Sequence, residues 1–292
     1  MVRCILGEKP CEIYESSQPF LSVFEMPDCR GREKLMTENE TFFEPGRSIP
    51  VRGRADVIVC GGGPAGVAAA VGAARCGVSV ILLESSAMPG GIMTSGLMPN
   101  IIDAENKGGF LREMISFLRE KGAVGGHNIV YPETVKHFME TSLTEAGVLV
   151  RYNTLVCALP CEGREIAAVI AESPSGREAF TGKMIVDCTG NGTAAALAGC
   201  GFECGDPEQG QPQAASLCAL CGGVPAEKID KFLRREKDKG KLHLLEQLRK
   251  AGADPSYRMP TLFQLTNHEY LLMSNHEHGV FCDDAAGIQQ FP

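Results

Sequence analysis

One segment constrains this chain more than any other: the apolar run Asp56-Val57-Ile58-Val59-Cys60 passes directly into Gly61-Gly62-Gly63-Pro64-Ala65-Gly66. A short apolar run entering a tight glycine turn is the pattern of a buried parallel strand. The small residues Val67 to Ala74 then read as a helix lying close to a sheet, with Gly77 as its C-cap. A second buried strand, Val78 to Leu83, ends at Glu84, which stands 23 positions after Gly61. The G-x-G-x-x-G spacing alone is weak, but strand, glycines, helix and terminal acid agree here, and together they describe a cradle for a dinucleotide pyrophosphate. Gly61 permits the turn, Gly63 admits a pyrophosphate close to the backbone, and Gly66 lets helix and strand pack. Pro64-Ala65-Gly66 opens the helix, whose free N–H groups and positive end face the phosphates. Glu84 is placed to accept hydrogen bonds from ribose hydroxyls, and its charge disfavours a 2′-phosphate. The alternative is a ligand-free glycine turn.

The rest of the chain supports an α/β reading. Residues 1–50 are polar and interrupted by Pro10, Pro19, Pro27, Pro45 and Pro50, the texture of an extended arm. After a Gly-, Met- and Asn-rich loop over 88–106, Leu111, Met114, Ile115 and Leu118 recur on one helical face up to Gly122. Pro132 starts another helix, with Val135, Phe138, Met139 and Leu143 on one side, followed by a strand over Val148 to Arg151. Strand-like stretches at Thr154 to Leu159 and Ile166 to Ala171, with the turn Ser173-Pro174-Ser175-Gly176, predict a β-meander. Lys183 to Cys188 is again a buried strand, leading through Thr189-Gly190-Asn191-Gly192 to a helix over Thr193 to Ala198. Beyond Cys200 a loop (205–213), a strand (Ala215 to Leu220) and a charged helix over Glu227 to Lys250, broken near Gly240, predict a subdomain. The expected organisation is an arm over 1–50, a dinucleotide-binding domain over 51–200 and a partial substrate subdomain over 201–292.

Composition narrows the partners. With 36 Asp and Glu against 28 Lys and Arg, the net charge of −8 provides no basic field for a nucleic acid or an anionic lipid surface. No apolar run approaches the roughly 18 residues of a spanning helix, and the start MVRCILGEKPCEIYE lacks the features of a secretory leader. Thirteen scattered cysteines, an odd number, read as a reduced thiol pool, so a cytoplasmic location is expected. The expected partner is a small-molecule substrate, and a homo-oligomer is compatible with this sequence.

The cradle does not by itself separate FAD from NAD. The run from Asp56 through Glu84 resembles the ADP-binding region of FAD-dependent oxidoreductases with the glutathione-reductase-type flavin fold, in which the acid is commonly Glu and Ala occupies the positions matched by Ala70 and Ala73. Lys183 to Gly190 is similar to that family's strand ending in Ala-Thr-Gly, here Cys188-Thr189-Gly190. Pro89 to Gly96 resembles the loop that carries Gly90 and Gly91 past the flavin, and Val156 matches the position whose backbone meets the adenine. The likeness runs from about Glu44 to Gly279. It implies a three-layer FAD/NAD(P)-binding, Rossmann-like α/β domain with a parallel sheet, a β-meander and a partial substrate subdomain. It also implies FAD as cofactor and hydride transfer between an organic substrate and the flavin. The cofactor-binding set it implies is Gly61, Gly63, Pro64, Ala65, Gly66, Glu84, Ser85, Gly90, Gly91, Val156, Thr189 and Gly190.

Two departures stand out. The usual Gly-Asp-Gly-Asp is replaced by Gly190-Asn191-Gly192-Thr193, and the closing C-terminal segment of the two-part flavin fold is not found before Pro292. A truncated chain that holds FAD weakly is therefore the expectation. The alternatives are a catalytically incompetent dinucleotide-binding fragment and an NAD-dependent dehydrogenase.

The remaining constellations carry less. Cys218-Ala219-Leu220-Cys221 is a C-x-x-C, but on a strand its two thiols point to opposite faces, and no second pair completes a zinc or cluster site, so no metal is expected. His268, His276 and His278, with Glu277, Asp283 and Asp284, form the densest titratable group. A solvated loop is the plain explanation; His276 and His278 are the candidates if the group is catalytic.

Overall fold

The structure, a computed structural model, describes residues 41–233 and 238–281 together with Ile288. The chain divides into two compact units, Met1–Gly46 and Arg47–Pro292. Of the first, residues 41–46 are described and carry no regular structure. The expected arm over residues 1–50 otherwise lies outside the described residues up to position 40, as do Asp283, Asp284 and the chain's final four residues.

In the second unit, strand β1 (Val51–Cys60), helix α1 (Pro64–Arg75) and strand β2 (Val80–Leu83) form the βαβ start that the glycine run predicts. The two strands are parallel, in register from Val57 opposite Val80 to Cys60 opposite Leu83. Both faces are covered here. Val59 and Leu82 belong to one core cluster, whereas Ile58, Cys60, Ile81 and Leu83 belong to another, which is why the sequence shows continuous apolar runs instead of alternation.

Helices α2 (Gly109–Glu120) and α3 (Pro132–Glu145) join α1 on the first face, contributing Met114, Leu118, Val135, Phe138, Met139 and Leu143. Strand β3 (Leu149–Arg151) then pairs in parallel with β2. The chain continues through β4 (Leu155–Ala158), the two-residue strands β5 (Cys161–Glu162) and β6 (Glu165–Ile166), β7 (Val169–Ser173), β8 (Gly176–Asp187) and helix α4 (Thr193–Leu197). The resulting six-stranded sheet has the order β3-β2-β1-β8-β7-β4. Its first four strands are parallel, and β7 and β4 add as an antiparallel meander. Val156, Val169, Ala171 and Phe180 of the meander pack with Ile58 and Leu83 on the second face, giving helices, sheet and meander as three layers.

The expected strand over Lys183 to Cys188 is only half of β8. Its first half pairs with both β7 and β1 and holds the buried residues, whereas its second half pairs with β1 and carries the exposed Lys183 and Met184 beside the half-buried Ile185 and Val186, so it is not the buried strand expected there. The buried Glu178 ties the layers at that point. Arg151 donates to it through Nη2 at 2.6 Å, and the Arg52 guanidinium lies 3.3 Å away.

After residue 200, strands β9 (Cys218–Gly222), β10 (Thr261–Gln264) and β11 (Glu269–Met273) make a separate antiparallel sheet in the order β10-β11-β9. Its core of Leu233, Leu244, Leu262 and Tyr270 is shared with α6 (Lys239–Lys250), which follows the short α5 (Ala226–Ile229). Three expectations are corrected here. The strand placed at Ala215 to Leu220 begins at Cys218, because Ala215 forms only an isolated bridge to Glu277. The charged stretch 227–250 is interrupted just before Gly240 and not by it: α5 passes into a 3-10 turn over Asp230–Phe232, and Gly240 lies in the first turn of α6, where a Cβ would come 2.2 Å from the Leu233 carbonyl oxygen, so close packing requires the glycine. The region read for its histidines contains one strand, β11, which takes in none of His268, His276 and His278. No helix among the described residues is long and apolar enough to cross a membrane.

Candidate functional site

The cradle is assembled where β1 and β2 end. Gly61 has φ of +96°, and a Cβ on it would lie 2.3 Å from the Cys188 carbonyl oxygen, so both conformation and packing demand glycine. Gly66 is demanded by packing alone, since its Cβ would stand 1.9 Å from the Gly61 carbonyl oxygen. Gly63 differs. It has an extended backbone (φ −65°, ψ −177°) that any L-residue adopts, and a Cβ built there meets nothing within 4 Å. Nothing in the protein requires glycine at 63, yet the space beside it is kept clear.

Gly63 is also the N-cap of α1, with Pro64 as the first helical residue and no side chain capping the end. Val67 donates the first intrahelical bond to the Gly63 carbonyl at 2.9 Å. Helix geometry leaves the amides of Ala65 and Gly66 with no carbonyl one turn behind them. Ala65 is exposed and Pro64 half-buried, so this end of the helix is open to a ligand. An open helix N-terminus of 12 residues beside a clear Cα is chemically suited to a pyrophosphate.

Glu84 is buried and turned into this turn. Its Oε2 accepts from the Gly62 amide at 2.6 Å, and its Oε1 accepts from the Ser86 amide at 2.6 Å and from the Ser85 hydroxyl at 3.3 Å. A carboxylate has about four acceptor positions, so room remains for a sugar hydroxyl. The neighbouring meander is pinned to the same corner. Thr154 donates to the Glu84 carbonyl and Asn153 to the Ser86 carbonyl, which brings β4, an edge strand of the sheet, and its Val156 beside Glu84 and Ser85. The Val156 side chain itself points into the core.

Two further loops close on the turn. The Gly90 amide donates to the Gly62 carbonyl at 2.8 Å, and a Cβ on Gly91 would lie 3.1 Å from the Gly63 Cα, so the Gly90-Gly91 segment runs against the cradle. That segment is held by Thr94, whose hydroxyl donates to the Pro89 carbonyl at 2.7 Å. On the other side, Cys188 donates to the Cys60 carbonyl, setting Thr189 and Gly190 next to Gly61.

Sequence reasoning missed the residue that shapes this last loop. Asp187 accepts from the Thr189 amide and hydroxyl through Oδ1, at 2.9 and 2.7 Å, and from the Ala195 amide through Oδ2 at 2.8 Å. Burial alone would raise its pKa, but these hydrogen bonds outweigh burial and hold the carboxyl below the usual range. An Asp closing an apolar strand eight residues before an Ala-rich turn was the available signal. A group whose folded pKa is depressed stabilises above its unfolded pKa, about 3.9, and loses that contribution as pH falls through the folded value. Asp187→Asn is therefore expected to cost about 1 to 3 kcal/mol at pH 7. In thermal unfolding from pH 7 to 3, the gap between wild type and variant should narrow only below about pH 4; a gap that is constant to pH 3 would refute this role.

The remaining candidates lie elsewhere. His276 and His278 are on no strand: they follow β11 in a loop, where the His276 ring stacks on Tyr257 at 3.7 Å and its amide donates to the Ser256 hydroxyl. Burial, with His278 nearby, lowers the His276 pKa. Cys218 and Cys221 sit at opposite ends of β9, and burial pushes both thiols up, opposite to what a redox-active pair needs. Burial likewise pushes Cys60, at the end of β1, up to about 12. Among the described residues, no group of three His, Cys, Asp or Glu is arranged to hold a metal ion.

The chain is similar, at the level of fold, to a myxobacterial FAD-dependent halogenase, CndH, with 16% identity over 77% of this chain and 53% of that one and a TM-score of 0.46. It is similar to a geranylgeranyl bacteriochlorophyll reductase-like protein from Thermoplasma acidophilum, with 15% identity over 77% and 57% and a TM-score of 0.45. It also resembles THI4 of Thermovibrio ammonificans, with 20% identity over 49% and 61% and a TM-score of 0.39. The chain thus spans about half the length of the solved structures it matches. No curated protein matches it. The family model described as FAD dependent oxidoreductase matches residues 56–282, which take in the cradle, Glu84, the meander and the second sheet. This chain belongs to the FAD-dependent oxidoreductase family, and its cofactor is FAD.

Proposed function

We propose that the protein transfers a hydride between a small organic substrate and bound FAD. The observation that carries this reading is the clear space at Gly63, the one glycine of the G-x-G-x-x-G run that neither its conformation nor a contact within the protein explains. Gly63, Pro64, Ala65 and Gly66 would hold the pyrophosphate, with the helix end supplying amides and positive potential. Glu84, fixed by Gly62, Ser85 and Ser86, would hold the ribose, and the backbone at Val156 would border the adenine. Gly90 and Gly91 would run beside the cofactor, and Thr189 and Gly190 would close the cradle beside Gly61. When bound, FAD supplies the two-electron chemistry, while the chain binds, orients and shields it. Proton transfer by His276 or His278 forms no part of this reading.

The test is reconstitution. Protein held in excess FAD should show the altered two bands of bound oxidised flavin between roughly 350 and 500 nm and lose them when the excess is removed, and a reducing organic substrate should bleach the longer-wavelength band while FAD is present. A chain that is stabilised by FAD but bleached by no compound in a broad panel of alcohols, amines and hydroxy acids would be a binding fragment instead.

A further inference from the structure

Within the second unit, a cavity of about 550 Å³ lies between the α2–α3 connection and the β10–β11 hairpin. That volume is typical of a site for a small organic ligand. Ile129, Leu262 and Phe263 give it apolar walls, and Asn100, Gln264 and Asn267 give it neutral hydrogen-bonding groups. Among the described residues, none that lines it is Asp, Glu, Lys, Arg or His, in a chain where 22% of residues are charged.

The cavity wall is tied to the cradle by a short stretch of chain. Gly91 lies against Gly63, the Met98 amide donates to the Ile92 carbonyl, and the Val130 amide donates to the Pro99 carbonyl at 2.8 Å. Asn100 then bridges Ile129 at the cavity itself. The opposite wall is anchored by the Tyr131 hydroxyl, which donates to Glu269 Oε2 at 3.3 Å. Gln264 to Asn267 form the turn end of the hairpin, whereas Tyr257 and His276 sit at its open end, so this cavity is distinct from the histidine loop.

We propose that this cavity holds the organic substrate of the oxidoreductase and that the substrate is uncharged, an apolar ring or chain carrying a carbonyl or hydroxyl. The proposal rests on the flavin reading above. Among the described residues no charged side chain lines the cavity, and the Glu269 carboxylate behind its wall is engaged by the Tyr131 and Thr266 hydroxyls, so a charged ligand would find no free counter-charge there, and burying an unpaired charge is strongly unfavourable. A neutral carbonyl or hydroxyl finds the amides of Asn100, Gln264 and Asn267.

The test uses the FAD-loaded protein and three probes of one shape: 2-acetylnaphthalene, 2-naphthoate and 2-(aminomethyl)naphthalene. Ligand-observed NMR titration should find the neutral ketone bound at least about tenfold more tightly than either charged probe. Gly126 lines the cavity, and a Cβ on it meets nothing within 4 Å, so Gly126→Phe fills the space without disturbing its neighbours. That variant should keep its melting temperature and weaken the ketone by about tenfold or more. Gln264→Lys should reverse the ranking in favour of the naphthoate. The proposal is overturned if a charged probe binds the wild type as tightly as the ketone, if the ketone does not bind, or if Gly126→Phe leaves its affinity unchanged. Absence of the flavin bands in the same samples would instead defeat the oxidoreductase reading, and the probe ranking is read independently of them.

Discussion

Gly63→Val should leave the protein folded and weaken cofactor binding strongly. The backbone at 63 is extended and the built Cβ has no neighbour within 4 Å, so only the poorer N-cap counts against the variant, and the apo protein should melt within about 4 °C of wild type. The two added methyl groups would stand in the space in front of the free amides of α1, where a phosphate must approach the backbone. FAD affinity should fall about 100-fold or more, equivalent to about 2.7 kcal/mol. Gly66→Ala provides the contrast, because its Cβ would stand 1.9 Å from the Gly61 carbonyl and the fold itself must move. Calorimetric titration with FAD, alongside thermal melts of both variants, separates a glycine kept for a ligand from one kept for packing. Undiminished FAD binding by Gly63→Val would contradict the assignment.

Glu84→Ala is expected to damage both fold and binding. The substitution strands the Gly62 amide in a buried turn and the Ser86 amide beside it, each of which now donates to a carboxylate oxygen at 2.6 Å. Hydrogen bonds to charged groups are worth about 1.5 to 3 kcal/mol each, so a loss of about 3 to 5 kcal/mol is expected. For a unit of this size, that is a fall in melting temperature on the order of 6 to 20 °C. Glu84→Gln keeps one acceptor oxygen but sets its NH2 group against the other backbone amide, so it should recover only part of the stability. It should still bind FAD more weakly than wild type, because the amide group no longer offers two acceptor oxygens to amides and sugar together. Equal melting temperatures for wild type and Glu84→Ala would show that the carboxylate does not hold the turn.

Much of the first sheet was legible because local signals agreed with one another. The apolar run to Cys60, the glycines, the small-residue helix and the acid at 84 each imply the next, and α1, β2 and Glu84 lie where that order puts them. The second sheet was not legible in the same way. Thr261–Gln264 and Glu269–Met273 flank the short turn containing Asn267, a hairpin signal that the surrounding histidines and acids outweighed in reading the residues. Gly240 shows a different limit. A glycine in a helical stretch reads as a break, and only the position of the Leu233 carbonyl shows that it is needed for contact. Asp187 was passed over because the apolar strand and the Thr-Gly turn around it carry stronger patterns. Its hydrogen bonds to Thr189 and Ala195 depend on a loop conformation that spacing does not encode.

The central claim is that the amides at the start of α1 grip the cofactor's diphosphate. Titrating ¹⁵N-labelled protein with FAD and following the amide signals of Gly63, Ala65 and Gly66 tests it most directly. The account predicts that these three shift together and saturate at one equivalent of FAD, while the amides of β10 and β11 move less. FAD that binds and leaves those three signals in place, or FAD that moves no signal at all, would contradict it.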